Sequence, residues 1–210
     1  MADSIDPASP KRRAILAAAS ELFVARGYEA VSMDAIARAA DVSKATLYAY
    51  FESKDQLFAT IVQIACRENL MPESGLPAGD IDIEEALRAI GGRTLRFLLT
   101  PRSRAIFRLV LAESARFPEL GRAFYENGPE AGGAGLGAWM ARQPSLRPGE
   151  PKVAAEQFVG LLRTGLYMRA ALGLVSEPAE TEIDAVVAAA VKTFLAAYRA
   201  RSFEAEGRTT

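Results

Sequence analysis

The sequence predicts an all-α protein of two parts: a small N-terminal three-helix unit and a larger C-terminal helical domain. Three observations carry that prediction. Apolar residues recur every three to four positions in almost every long segment, which is the helical period. Val, Ile and Thr are scattered and never alternate with period two over a useful length, so no strand is expected. The stretch MPESGLPAGD, 71–80, is a break rich in proline and glycine and the best candidate for a joint between domains. The expected division is 1–58 and 59–210, with 1–9 as a disordered arm.

The elements follow in order. Ser9-Pro10 starts a helix, with a capping hydroxyl and then a proline where a missing N–H costs nothing. Ile15, Ala19, Leu22 and Phe23 form its apolar stripe, and Gly27 ends it by taking the left-handed cap conformation. Ser32 caps a short helix holding Ile36, Ala37 and Ala40, and a tight turn follows at Asp41-Val42. Ser43 caps the next short helix, with Leu47 and Phe51 inward. Ser53-Lys54-Asp55-Gln56 matches the capping box and opens a longer helix with Leu57, Phe58, Ile61, Val62 and Ile64. Beyond the joint, helices are expected over 83–99, 102–115, 118–141, 151–173 and 179–201.

Composition excludes several kinds of chemistry. The chain of 210 residues has a net charge of −1, so any affinity for nucleic acid must come from a local patch. It has no histidine, which removes a His-based metal site, a Ser-His-Asp triad and a histidine pH switch. Cys66, its single cysteine, excludes an intramolecular disulfide and fits a reducing cytosol, so a cytoplasmic location is expected. No apolar run approaches a membrane span, and MADSIDPASPKRR lacks the hydrophobic centre of a signal peptide. Glu84-Glu85 and Glu180, Glu182 and Asp184 sit near helix starts, where acids favour the dipole. No nucleophile–base pair is evident, and no enzyme activity, cofactor or metal is expected.

The two short helices joined at Ala40-Asp41-Val42-Ser43 form a helix-turn-helix candidate. Its inward positions leave Lys44, Ala45, Thr46, Tyr48 and Ala49 on or beside the outer face. Thr46 suits a base edge or a thymine methyl, Ala45 and Ala49 allow close approach, and Lys44 reaches guanine or phosphate. Tyr48 and Lys54 suit phosphate oxygens. The helix N-termini at Ser32 and Ser43 offer free N–H groups, which also suit phosphate. By spacing alone the same segment is equally an ordinary packing unit with a solvated face. Two tyrosines, Tyr48 and Tyr50, on one small helix favour a partner.

The stretch RAILAAASELFVARGYEAVSMDAIARAADVSKATLYAYFESKDQLF resembles the N-terminal DNA-binding domain of the TetR family of transcriptional regulators over about residues 11–58. The resemblance implies a homodimer whose helix at about 44–50 reads the major groove of a palindromic double-stranded DNA operator. A larger C-terminal domain would bind a small effector and carry the dimer interface. By position, Ser32 and Met33 fall where the family meets phosphate. Lys44, Ala45, Thr46 and Ala49 fall where it reads bases, and Tyr48 and Lys54 where it grips backbone. Tyr50 is at a variable position near either. Lys11, Arg12 and Arg13 read equally as a basic arm or as a solvated helix start.

The stretch FRLVLAESARFPELGRAFYENGPE, 107–130, looks more loosely like the ligand domain of one branch of that family. The last helix, IDAVVAAAVKTFLAAY, is apolar almost all round, which predicts burial on more than one side and hence a dimer. Phe158, Leu162 and Leu166 from one helix and Val187, Val191, Phe194 and Tyr198 from the next are the expected interface. Gly160 and Gly165 would permit close approach. An apolar pocket is expected from Phe97, Phe107, Phe124, Trp139, Phe158 and Tyr167, with Arg163 as a polar handle, and its effector would be apolar or aromatic rather than highly charged. Gly133, Gly135 and Ala138 make a nominal G-x-G-x-x-A, but no strand precedes them, so a dinucleotide site is rejected. A kinked or partly unwound helix bordering the pocket is expected there instead. The overall reading is a repressor released by its effector. The alternatives are a small helical enzyme using the central cavity and a regulator without a small-molecule ligand.

Overall fold

The computed structural model describes residues 9–69 and 82–200. The joint expected at 71–80 and the arm over residues 1–8 lie outside the described residues. Among those described, eleven α-helices and one π-helical turn form two packed groups, and there is no strand. One isolated antiparallel bridge joins Leu146 to Arg199.

The N-terminal group contains α1 (Pro10–Arg26), α2 (Met33–Ala39), α3 (Lys44–Tyr50) and α4 (Lys54–Asn69). Ser32 Oγ accepts the Ala35 N–H at 3.2 Å, and Ser43 Oγ accepts the Thr46 N–H at 3.0 Å, so both short helices are capped as expected. Ser9 holds the N-cap position of α1 without capping it; its hydroxyl bonds instead to the Tyr50 hydroxyl, 2.9 Å away. Ser53 Oγ accepts the Gln56 N–H at 3.1 Å, but the Gln56 side chain reaches the Glu52 N–H at 2.6 Å, one residue short of a reciprocal box. Gly27, at φ 83°, ends α1. Asp41, at φ 52°, makes the turn between α2 and α3, a left-handed conformation that aspartate tolerates better than most residues.

Ile15, Phe23, Ile36, Leu47, Phe51 and Phe58 meet in one cluster, joined by Ile61 and Val62 of α4. Helix α4 runs unbroken across 58–59. The same cluster takes in Ile106 and Val110 of α6 (Pro101–Glu113) and Leu120 of α7 (Pro118–Tyr125). These two helices therefore belong in sequence to the C-terminal part and in packing to the N-terminal core.

The second cluster joins α5 (Ile83–Leu99), α8 (Ala131–Ala141), α9 (Pro151–Leu162), α10 (Gly165–Ala171) and α11 (Glu180–Tyr198). Its composition corrects the expected dimer interface. Phe158, Leu162, Leu166, Val187, Val191 and Phe194 are buried inside this one chain. Helix α5 covers them: a Cβ at Gly91 would lie 3.3 Å from Phe158 and Val187 and 3.4 Å from Leu162. Tyr198 is half-buried, stacks on Phe194 at 4.7 Å and bonds through its hydroxyl to Gln157. The outer face of α11 carries exposed Ala185, Ala189, Ala196 and Ala197. Alanine reads as apolar in the sequence pattern yet costs little in water, so the helix looked apolar all round.

Two expected helices are interrupted. The 151–173 segment breaks at Arg163-Thr164, between α9 and α10. The 118–141 segment stays helical but widens into a π turn at Glu126–Glu130, with Pro129 inside it. Proline has no N–H to give to the ladder, and a wide turn accommodates the loss. The glycines that follow serve packing. A Cβ on Gly137 would fall 2.7 Å from the Pro151 carbonyl oxygen and 2.9 Å from the Lys152 nitrogen, so α8 and α9 touch backbone to backbone.

Helix propensity alone would make Gly137→Ala stabilising by about 1 kcal/mol. The close backbone predicts the opposite sign, a loss of about 1–3 kcal/mol from overpacking. Urea unfolding decides between them: a midpoint unchanged or raised would show that α8 and α9 separate freely.

Candidate nucleic-acid interface and cavity

Helix α3 is anchored from beneath by Leu47 and by Phe51 just past its end, both buried. Its outer face presents Lys44, Ala45, Tyr48 and Ala49 to solvent, with Thr46 and Tyr50 half-buried. Lys44 Nζ lies 2.8 Å from Asp34 Oδ1 on α2, and the hydrogen bond and charge of that carboxylate raise the lysine's pKa. Thr46 Oγ1 lies 2.8 Å from Ser43 Oγ, leaving the threonine methyl as its free group. Tyr50 is tied to Ser9, so it fixes α3 to the start of α1.

Two residues expected at this interface sit differently. The Met33 side chain is buried in the N-terminal core, because the first turn of α2 packs inward on α1; only its backbone stands at the helix N-terminus. Lys54 Nζ donates to the Tyr28 carbonyl at 2.8 Å and lies 4.2 Å from that ring's centroid. Burial lowers the pKa of the Lys54 ammonium, with Asp55, Glu29 and Glu113 opposing the shift. The Tyr28 hydroxyl donates to Asp55, and burial, then that bond, pushes the phenol far above its ordinary value. Lys54 therefore braces Tyr28 from within the reading head. Lys11 and Arg13 are exposed, whereas Arg12 lies 5.5 Å above the Phe51 ring and pins α1 to the end of α3.

A cavity of about 980 Å³ lies where the two packed groups meet. Phe97, Phe107, Phe124, Arg163 and Tyr167 line it, as the sequence suggested. Trp139 and Phe158 do not. Trp139 is buried further along α8, and Phe158 points away from the cavity toward Gly91 and Phe194, whose ring centroid is 5.1 Å off. The wall also includes Leu16 of α1, Ile61 of α4 and Arg102 of α6, which no local pattern in the sequence assigns to it. Arg102 Nε donates at 3.0 Å to the hydroxyl of Ser20, a polar residue buried in α1. Pro129, Gly132 and Gly133 bring the π turn and the start of α8 to the opposite wall. Below it the buried Arg104 donates to the carbonyls of Ala170, Val175 and Ser176, binding α6 to the end of α10.

Among the described residues no group of three or more His, Cys, Asp or Glu is placed to hold a metal. No helix among them is long and apolar enough to cross a membrane.

A capped helix pair with an open outer face is the geometry of a helix-turn-helix unit that lays its second helix in a DNA groove. Comparison with known proteins narrows the class. The family profile described as "Bacterial regulatory proteins, tetR family" matches residues 15–61, and that described as "AefR-like transcriptional repressor, C-terminal domain" matches 85–200. The chain belongs to the TetR family of transcriptional regulators, whose members are DNA-binding proteins and not enzymes. A solved structure named "Flavonoid-responsive Regulator FrrA" is 39% identical, with a TM-score of 0.75 over 91% of this chain and 98% of its own. A protein from Mesorhizobium loti MAFF303099, described as a TetR-family transcriptional regulator, is 31% identical, with a TM-score of 0.77 over 90% and 97%. The HTH-type transcriptional activator FasR of Mycolicibacterium smegmatis is 49% identical over 57 residues, 27% of this chain. The chain spans only 26% of the length of that curated relative.

Replacing Ser43 separates its cap from any role toward phosphate. Ser43→Ala should cost about 1 kcal/mol in global unfolding, whereas Ser43→Asp keeps an acceptor and should unfold close to the parent. Toward duplex DNA, Ser43→Asp should bind more weakly than Ser43→Ala despite its greater stability. Equal DNA affinity for the two variants would remove the α3 N-terminus from the contact set.

Proposed function

We propose that the chain is a cytoplasmic, homodimeric repressor that holds a near-palindromic operator and lets go when a flat aromatic effector fills the cavity. The observation carrying this reading is the shared wall: one cavity is lined by α1 of the reading head and by α5, α6 and α9 of the C-terminal group, and at its edge Arg102 of α6 bonds to Ser20 of α1. An effector that draws Arg102 away shifts α1, and with it α3, relative to the rest. Repression is supported by the description of the C-terminal match, and an aromatic effector by the name of the 39% identical neighbour. The match to the activator relative covers only 57 residues, 27% of this chain, too little to carry its sign of regulation across.

For the dimer we assign an outward stripe in place of the buried residues. Val153, Gln157 and Leu161 of α9, Thr164 at the break, Met168 of α10 and Leu172 just past its end are spaced three or four apart, and all are exposed except the half-buried Leu161. Met168 and Leu172 are 55% and 67% exposed, unusual for large apolar side chains without a partner. Pairing this stripe with the alanine face of α11 in a second copy would build a four-helix interface. The two copies of α3 would then enter successive major grooves, roughly 34 Å apart. Within each head, Lys44, Ala45, Thr46 and Ala49 are assigned to bases, and Ser32, Tyr48 and Tyr50 to the backbone. Lys54 joins them only by leaving Tyr28.

The test is a fluorescence-anisotropy titration against the intergenic DNA beside the protein's own gene, with an unrelated duplex as control, at two salt concentrations. Binding at about 10⁻⁸ M or tighter, and about 10³-fold over control, is expected. Weak binding to both duplexes that falls steeply with salt would reduce the function to phosphate attraction. Thr46→Ala should change the preferred base at one position by about 1–3 kcal/mol, while Tyr48→Phe weakens all duplexes alike; the reverse pattern would overturn the contact assignment. A monomeric mass by sedimentation at micromolar concentration would sink the dimer.

A further inference from the structure

The α9 wall of the cavity is polar at both ends and bare in the middle. Glu156, Val159, Gly160 and Arg163 all line it, at i, i+3, i+4 and i+7, one face of the helix. At one end the Arg163 guanidinium lies 5.2 Å from the Phe107 centroid and 4.9 Å from that of Tyr167. Two rings hold it broadside, and among the described residues no carboxylate forms a salt bridge with it. At the other end is the Glu156 carboxylate. Lys152 Nζ lies 4.0 Å from Glu156 Oε1 but 3.1 Å from Glu130, so its stronger pairing is elsewhere. Gly133 leaves room beside the partly exposed Glu156 side chain: a Cβ there would sit 3.4 Å from Glu156 Cγ. Between the two ends, a Cβ on Gly160 would meet nothing within 4 Å.

We infer that the effector is a rigid, flat aromatic with an oxygen function at each end: an acceptor or acidic oxygen held by Arg163 and a hydroxyl donor held by Glu156, its ring face lying over Gly160. The inference deepens, and rests on, the reading of this cavity as the effector site. Helix rise puts the two polar ends about 10 Å apart, the span of two linked aromatic rings with para substituents. Arg163 offers only donors, so it selects an acceptor, most strongly an anionic one. An ionised Glu156 only accepts, so it selects a donor and rejects a second carboxylate. A simple fatty acid satisfies Arg163 and leaves Glu156 unpaired. Gly160 sets the thickness of the slot, since any side chain there projects into the open space.

The test uses the full chain and calorimetric titration with 4,4′-dihydroxybiphenyl, 4-hydroxybiphenyl, biphenyl, biphenyl-4,4′-dicarboxylate and decanoate. The diol should bind most tightly, with about tenfold loss for each hydroxyl removed and at least about tenfold weaker binding of the dicarboxylate. Glu156→Gln should narrow the gap between diol and dicarboxylate. Gly160→Leu should weaken the diol by more than about thirtyfold while leaving thermal unfolding as in the parent, because the added side chain meets no protein atom near its base. Equal binding of biphenyl and diol, tighter binding of decanoate than of diol, or a Gly160→Leu variant that still takes up the diol would each overturn the inference. If biphenyl or decanoate nonetheless releases operator DNA, the cavity remains the effector site and only the ligand class falls. If no compound binds, both fall.

Discussion

The Tyr28 ring is the joint on which the two halves of the molecule meet. Its centroid stands 5.4 Å from Phe23 of α1, 5.9 Å from Phe58 of α4 and 5.6 Å from Phe117 at the start of α7. Its hydroxyl binds Asp55, its carbonyl takes the Lys54 ammonium, and the same lysine lies over its face. Edge-to-face contacts among aromatics have preferred angles, so this cluster resists sliding in a way an aliphatic core does not. Phe117 leads through α7 into the π turn that walls the cavity. The same aromatic contacts thus join the reading head to the helix that carries the cavity wall.

The sequence made the N-terminal unit legible because local signals agreed there. Ser32, Ser43 and Gly27 fixed helix ends, and Leu47 and Phe51 fixed which face turned inward, all by interactions within a few residues. The C-terminal part was legible as helices and misleading as surfaces. Phe158 and Leu162 carry the pattern of an interface, yet α5, far away in sequence, covers them. The difference lies in tertiary partners, which no periodicity encodes. Alanine added to the error, since the α11 face of Ala185 and Ala189 is apolar by type and solvent-tolerant in fact.

The cavity shows the same division. Its aromatic side chains stood out by type, and five of the seven expected residues line it. Trp139 and Phe158 were drawn in by size alone. Arg102 and Glu156 carry no such mark, because a charged residue on a helix usually signals a solvated face, and both remain partly exposed at the cavity edge. The glycines near 133 stand out in the sequence because each is costly inside a helix. One gives α8 its backbone contact with α9, and another faces Glu156. Pro129 sits inside a helix that widens where a loop or an unwound turn could have been expected.

Arg104 has a consequence for the conditions under which the protein works. Its guanidinium is buried against three peptide carbonyls, near the negative end of α10, and no carboxylate neutralises it there. Carbonyls do not titrate and, shielded from solvent, are little affected by dissolved ions. The chain also has no histidine. The tie between α6 and α10 is therefore indifferent to acidification and to added salt, either of which would loosen an exposed ion pair.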